Sequence, residues 1–210
     1  RHSCNMVLMA WRADIDSNSI LSSNNRSLSK DLEVDTLIFK ERKLNNIKKI
    51  LVPTGGGPHS ILGIQIAYDL ATTWNAEIEI LRIARRTNGN TNDPLHRRYC
   101  EQLRKDMEIQ LNILNISVPI RVKSSNHVVP AVIETAKDFD MVVMGASNDW
   151  RQEEYLSGSI PDKIANNLHC SVLMARSKFP MDGQLSQIFW EQMIRLEMQP
   201  RDKWDAIEQM

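Results

Sequence analysis

Two glycine-bearing segments stand where an anion could be held. One is Thr54-Gly55-Gly56-Gly57, directly after the apolar run Ile47 to Pro53. The other is Gly145-Ala146-Ser147-Asn148, closed by Gly158-Ser159 ahead of an amphipathic stretch. A helix amino terminus presents N–H groups that lack intrahelical partners, and glycine lets the backbone approach a phosphate closely. Ser159 can cap the helix that follows and also donate its hydroxyl to a phosphate. Gly-rich turns after strands also occur in many folds with no ligand, so either segment alone reads more readily as a plain turn.

Other candidates carry two readings each. Arg85 and Arg86 could pair with phosphates or form a solvated basic turn. Asp149, Arg151, Glu153 and Glu154 read as solvent-facing loop residues. His59 and His127 lack a third ligand for a metal site. Met141 and Met144 read as strand packing. Cys100 and Cys170 read as inert core thiols, because neither has an obvious base nearby in sequence. No Ser-His-Asp set, paired carboxylates or Gly-Lys-Ser phosphate loop is present. Phosphoryl transfer needs metal ligands and a positioned base; a binding module with little or no hydrolysis is therefore expected.

The elements that would position these residues alternate. Strands are expected at Ile47 to Pro53, Glu77 to Ile83, Val118 to Lys123, Asp140 to Gly145 and Ser171 to Ala175. Helices are expected at Ser60 to Trp74, Pro94 to Leu114, His127 to Phe139 and Ser159 to Leu168. Asp93-Pro94 suits a cap and a first helical position. Several strands are apolar on both faces, as parallel strands covered by helices must be. Right-handed crossovers then give an open, doubly wound α/β sheet, Rossmann-like, with ligands expected at the carboxyl ends of its strands. Residues 46–177 form this domain. Residues 1–45 read as an irregular arm with a short strand at Asp35 to Phe39, and residues 178–210 as an amphipathic tail with a helix from Leu185 to Met198. No repeat at a fixed period stands out.

The chain has 210 residues, with 42% hydrophobic and 25% charged residues and zero formal net charge. No global field therefore favours nucleic acid or an anionic membrane. Three widely spaced cysteines fit a reducing compartment, which points to the cytoplasm. No stretch approaches the ~18 apolar residues of a membrane helix. Met6 to Trp11 is apolar but short. With a start at Arg1 and the polar arm behind it, this segment would suit a piece cut just after a membrane region.

The spacing Gly145, two residues, Asn148, nine residues, Gly158-Ser159 resembles the nucleotide-binding motif of the universal stress protein family. That motif reads Gly, two residues, Gly, nine residues, Gly, then Ser or Thr. Ile50 to Thr54, Asp140 to Gly145 and Ser171 to Met174 resemble the family's first, fourth and fifth strands, so the resemblance covers residues 47–176. It implies five parallel strands in the order 3-2-1-4-5. It also implies ATP or another adenine nucleotide, with magnesium, held by Gly145, Gly158, Ser159 and Ile160 at the phosphate and ribose. Pro53 and Thr54 would lie on the adenine side, and Ile83 would flank the base. Gly55 stands where nucleotide-binding relatives usually carry Asp, and Asn148 replaces a glycine, although Asn tolerates left-handed backbone well.

Relatives often pair into homodimers through the fifth strand, here Ser171 to Ala175; the tail helix is the alternative cover for that edge. Family domains also occur fused behind membrane transporters and channels, on the cytoplasmic side. The expected function is thus a nucleotide-responsive regulatory domain, attached to a transporter or free-standing as a homodimer. The alternatives are a domain that binds a cyclic dinucleotide or AMP, and a dimerisation module that has lost its ligand.

Overall fold

A computed structural model describes residues 5–10, 34–42, 46–57, 59–86, 93–146 and 159–178. The chain divides into two units, Arg1–Pro180 and Met181–Met210, and the described residues all belong to the first. The expected tail helix lies outside them.

In chain order the elements are β1 (Met6–Ala10), β2 (Asp35–Lys40), β3 (Lys49–Pro53), α1 (Ser60–Trp74), β4 (Glu77–Ala84), α2 (Pro94–Ile113), β5 (Ile120–Ser124), α3 (Val128–Thr135, prolonged by a 3-10 turn, Ala136–Asp138), β6 (Met141–Gly145), α4 (Ile160–Asn167) and β7 (Ser171–Arg176). Local signals set several boundaries. The Asp93 carboxylate accepts from the Leu95 N–H at 3.0 Å, and Pro94 opens α2, where its missing N–H costs nothing. Asn75 closes α1 in the left-handed conformation, φ 52°, which Asn adopts more readily than other non-glycine residues.

Among the described residues seven strands form one sheet, ordered β1-β2-β7-β6-β3-β4-β5. From β5 to β7 all neighbours are parallel, and this is the expected five-stranded, doubly wound α/β core. One apolar layer joins Leu51, Leu81, Val142 and Met174 to Val132 of α3 and Ile164 of α4. The opposite layer joins Ile50, Ile80 and Val143 to Ile64 of α1 and Met107 of α2. The central strand β6 is buried on both faces, Val142 and Val143 completely. Each such side chain contributes on the order of 1.5–3 kcal/mol.

The arm departs from expectation. Residues 1–45 are not merely irregular: they supply β1 and β2, so among the described residues the sheet has seven strands rather than five. The strand expected at Asp35 to Phe39 is β2. It runs antiparallel to β7, from Thr36↔Arg176 to Lys40↔Val172, and β1 lies parallel to β2. The outer edge of β7 is therefore paired within the chain. A second copy's fifth strand cannot take that edge while β2 holds it. The physical reason is the Asp35–Lys40 run itself, whose Leu37 and Ile38 are buried, one in each apolar layer.

Candidate functional site

The parallel core places β3 between β4 and β6. The chain leaves β3 for α1 on one face and β6 for α4 on the other, so the connections diverge where ligands of doubly wound sheets collect. Pro53, Thr54 and Gly55 stand at the end of β3, Ile83 near the end of β4 and Gly145 at the end of β6; Ser159 and Ile160 start α4. Continuing the β3–β6 register from Leu51↔Val142 sets Thr54 level with Gly145. Asn148 and Gly158 lie outside the described residues, as do Asp149, Arg151, Glu153 and Glu154.

The turn after β3 is held by its own polar groups. The Thr54 N–H donates to the Leu81 carbonyl at 3.0 Å, which prolongs the β3–β4 ladder. The Thr54 hydroxyl accepts from the Gly56 N–H at 3.1 Å. Gly56 has φ +78°, a left-handed backbone that glycine takes without strain. The Ser60 hydroxyl then donates to the Gly57 carbonyl at 2.6 Å, fixing the entry to α1. At Gly55 a Cβ would meet nothing within 4 Å. The place where the resemblance leads one to expect a carboxylate is open space.

Beneath this turn lies Arg82, which the sequence reading passed over. Its Nη1 donates to the Thr54 carbonyl at 3.1 Å, and a Cβ on Gly56 would stand 3.1 Å from the same nitrogen. Burial pushes the guanidinium's pKa below its ordinary value, while Tyr99 and Asp106 act in the opposite direction. The turn thus rests on a partly desolvated cation, where the family pattern would set a carboxylate one residue earlier. The available signal was an arginine inside the otherwise apolar run Ile80-Leu81-Arg82-Ile83. Arg85 and Arg86, next along the chain, are exposed.

Gly145 has a packing role. A Cβ there would lie 2.8 Å from the His59 carbonyl carbon and 2.9 Å from the Ser60 nitrogen, so only glycine lets the start of α1 rest on the end of β6. His59 is buried, and its Nδ1 accepts from the Ser177 N–H at 3.1 Å, tying β7 to the same corner. Ile83 is half-buried against the α3–α4 layer.

Ser159 caps α4 in a reciprocal capping box. Its hydroxyl accepts from the Asp162 N–H at 3.3 Å, and its own N–H donates to the Asp162 carboxylate at 3.0 Å. Pro161 contributes no donor. A carboxylate therefore already sits where the helix dipole favours an anion. Ile160 is 45% exposed.

Two further clusters lie elsewhere. The Cys100 thiol is 3.5 Å from His96 Nε2, which is 2.7 Å from the Ser124 hydroxyl. A base thus stands near Cys100, one helical turn earlier, contrary to the sequence reading. Cys170 lines a pocket of about 370 Å³ with Ile133, Phe139 and Asp140, at the amino-terminal ends of β6 and β7. Burial pushes its thiol pKa up. Among the described residues no group of three or more His, Cys, Asp or Glu could hold a metal ion, and no helix is long and apolar enough to cross a membrane.

Comparison with known proteins agrees with this arrangement. No curated protein sequence matched the chain. Among solved structures, a universal stress protein from Archaeoglobus fulgidus is similar at 16% identity and TM-score 0.56, over 82% of this chain and 61% of its own. A functionally unknown protein from Pseudomonas aeruginosa is similar at 16% identity and TM-score 0.59, over 89% of this chain and 68% of its own. A universal stress protein from Lactobacillus plantarum is similar at 18% identity and TM-score 0.50, over 62% of this chain and 99% of its own. This chain thus spans about three fifths of the Archaeoglobus protein. The description of the universal stress protein family matches residues 46–176, well over half the chain, and the chain belongs to that family.

Proposed function

We propose that the domain binds an adenine nucleotide, ATP with magnesium being the reference ligand, and acts as a regulatory module rather than an enzyme. One observation carries this reading. The glycine turn Thr54–Gly57 stands at the divergence of β3 and β6, with open space at Gly55 and a half-buried arginine beneath it. Backbone donors with a nearby cation favour phosphate. Gly158 and Ser159 complete the pocket by family resemblance.

The departures shape what binds. Without a carboxylate at position 55 the ribose side loses a contact common to ATP, AMP and cyclic dinucleotides, so the choice among them falls to the phosphate side. Asp162 caps α4 and repels a phosphate arriving at the same helix start. Asp162→Asn keeps an acceptor for the Ser159 N–H, and tighter ATP binding is its expected result in titration calorimetry. Unchanged or weaker binding would place the phosphates away from α4. If no adenine nucleotide binds at all, the reading of a domain that has lost its ligand and serves assembly takes over.

Regulation follows if occupancy biases an attached unit between two states by differential affinity. In the transporter version that unit lies in a membrane and this domain on its cytoplasmic face. A full-length gene product without a membrane segment would remove that version and leave a free-standing protein. A homodimer of that protein would need a surface other than β7, and sedimentation would show it.

A further inference from the structure

The arm pairs with the domain in a symmetric way. The β2–β7 register centres on Ile38↔Met174: Leu37 pairs with Ala175 and Phe39 with Leu173, Thr36 with Arg176 and Lys40 with Val172. Exchanging residues 36–40 with 172–176 in order leaves every one of these pairs in place. The same exchange carries β1 onto β6. Met6 pairs with Asp35 as Met141 pairs with Ser171, and Ala10 with Phe39 as Gly145 with Ala175.

Side chains follow the same two-fold relation. The Lys178 N–H donates to the Asp35 carboxylate at 2.7 Å, and the Arg42 N–H donates to the Ser171 hydroxyl at 3.1 Å. Ile38 and Met174 lie in one apolar layer, Leu37 and Leu173 in the other. The sequences agree too: Asn5-Met-Val-Leu-Met-Ala10 stands against Asp140-Met-Val-Val-Met-Gly145, and the spacing from there to β2 or β7 differs by one residue.

On the α1 side of the sheet the two halves differ in burial among the described residues. Val143 of β6 is fully buried beneath α1 and beside β3, whereas its counterpart Leu8 is 64% exposed on the last strand of the described sheet. The Archaeoglobus and Pseudomonas structures match more of this chain than residues 46–176 can account for, and both are longer than it.

We propose that residues 5–42 are the closing part of a second universal stress unit, and that the apolar face of β1 at Leu8 docks the opening strand–helix segment of that unit. The occupant is a parallel apolar strand of the Lys49–Pro53 kind followed by a helix of the α1 kind, carried on the same polypeptide ahead of residue 1. Continuity with the β6–β3 and β6–α1 contacts selects it. Ala10 replaces Gly145 in this half, so the docked helix starts further from β1 than α1 does from β6.

Maleimide labelling of Leu8→Cys, read by mass spectrometry at that site, tests the proposal in the 210-residue chain and in the full-length gene product. The expected result is rapid labelling in the former and labelling slower by about 100-fold in the latter, as for a group reached only by local opening. Thr73→Cys, exposed on the last turn of α1, should react alike in both. Equal labelling of Leu8→Cys in both overturns the proposal, as does a gene product with no strand–helix segment ahead of residue 1. Protection of the 210-residue chain that grows with its concentration also overturns it, since the occupant is then a second copy.

Discussion

Gly145→Ala separates packing from ligand binding in the family motif. The added methyl would stand 2.8–2.9 Å from the His59 carbonyl carbon and oxygen and the Ser60 nitrogen, against 3.4 Å or more for ordinary contact. The obstructing atoms are backbone and are held in place. Ser60 is bonded to Gly57 through both its N–H and its hydroxyl, the Gly63 N–H donates to the His59 carbonyl, and His59 is tied to Ser177. Gly63 already packs tightly against the same corner, so α1 cannot pivot freely. Overpacking of this kind costs about 1–3 kcal/mol. The constraint argues for the upper half of that range, and the lost freedom of the unfolded chain returns ~0.4–1 kcal/mol. The net expectation is a loss of about 2 kcal/mol, or a Tm lower by roughly 4–8 °C for a chain of this length. Urea unfolding followed by circular dichroism measures it as a lower midpoint at unchanged slope. A loss under about 0.5 kcal/mol, below the overpacking range, would refute the claim that Gly145 is required for the α1–β6 approach.

Gly55→Asp meets no steric obstacle and restores the carboxylate of nucleotide-binding relatives. It should leave stability unchanged and tighten ATP binding about tenfold, the worth of one charged hydrogen bond, as read by calorimetry. Ser159→Ala removes the cap of α4 and should cost about 1 kcal/mol in urea unfolding, without ligand present. The Cys170 thiol has its pKa raised above 9.0 by burial, so the folded state holds its proton more tightly than the unfolded chain. Its contribution is complete below pH 9.0 and declines as pH rises through that value toward the folded pKa. Cys170→Ala should flatten the decline measured by thermal unfolding at pH 8.5–10; a slope equal to the parent's would assign the decline to other groups.

The parallel core was legible because burial on both faces leaves a strong mark. Ile50 to Val52 and Met141 to Met144 have no polar alternation, and Asp93-Pro94 and Ser159 announce their helices by their own chemistry. The arm was less legible because its pairing is long-range. Met6–Ala10 is too short for periodicity to separate strand from helix, and its likeness to Met141–Gly145 carries little weight until the register around Ile38 and Met174 is seen. At the site, glycines and the cap could be read from spacing. Arg82 could not, because its role depends on the Thr54 carbonyl 28 residues earlier in the chain. The partner of Cys100 was within reach of the sequence, since His96 stands four residues earlier on the expected helix and so on the same face. Gly145 was read as a phosphate residue by resemblance, and the structure adds the contact that requires it.

The central claim is that the site proposed at the ends of β3, β4 and β6 takes an adenine nucleotide. Thermal unfolding with ATP, ADP, AMP and a cyclic dinucleotide, each with magnesium, tests it most directly, with Gly158→Val as the control. The account predicts stabilisation of the parent chain by at least one of them, growing with ligand concentration, and its loss in the Gly158→Val chain. No stabilisation by any nucleotide would contradict the account, and an undiminished shift in the variant would place the phosphates elsewhere.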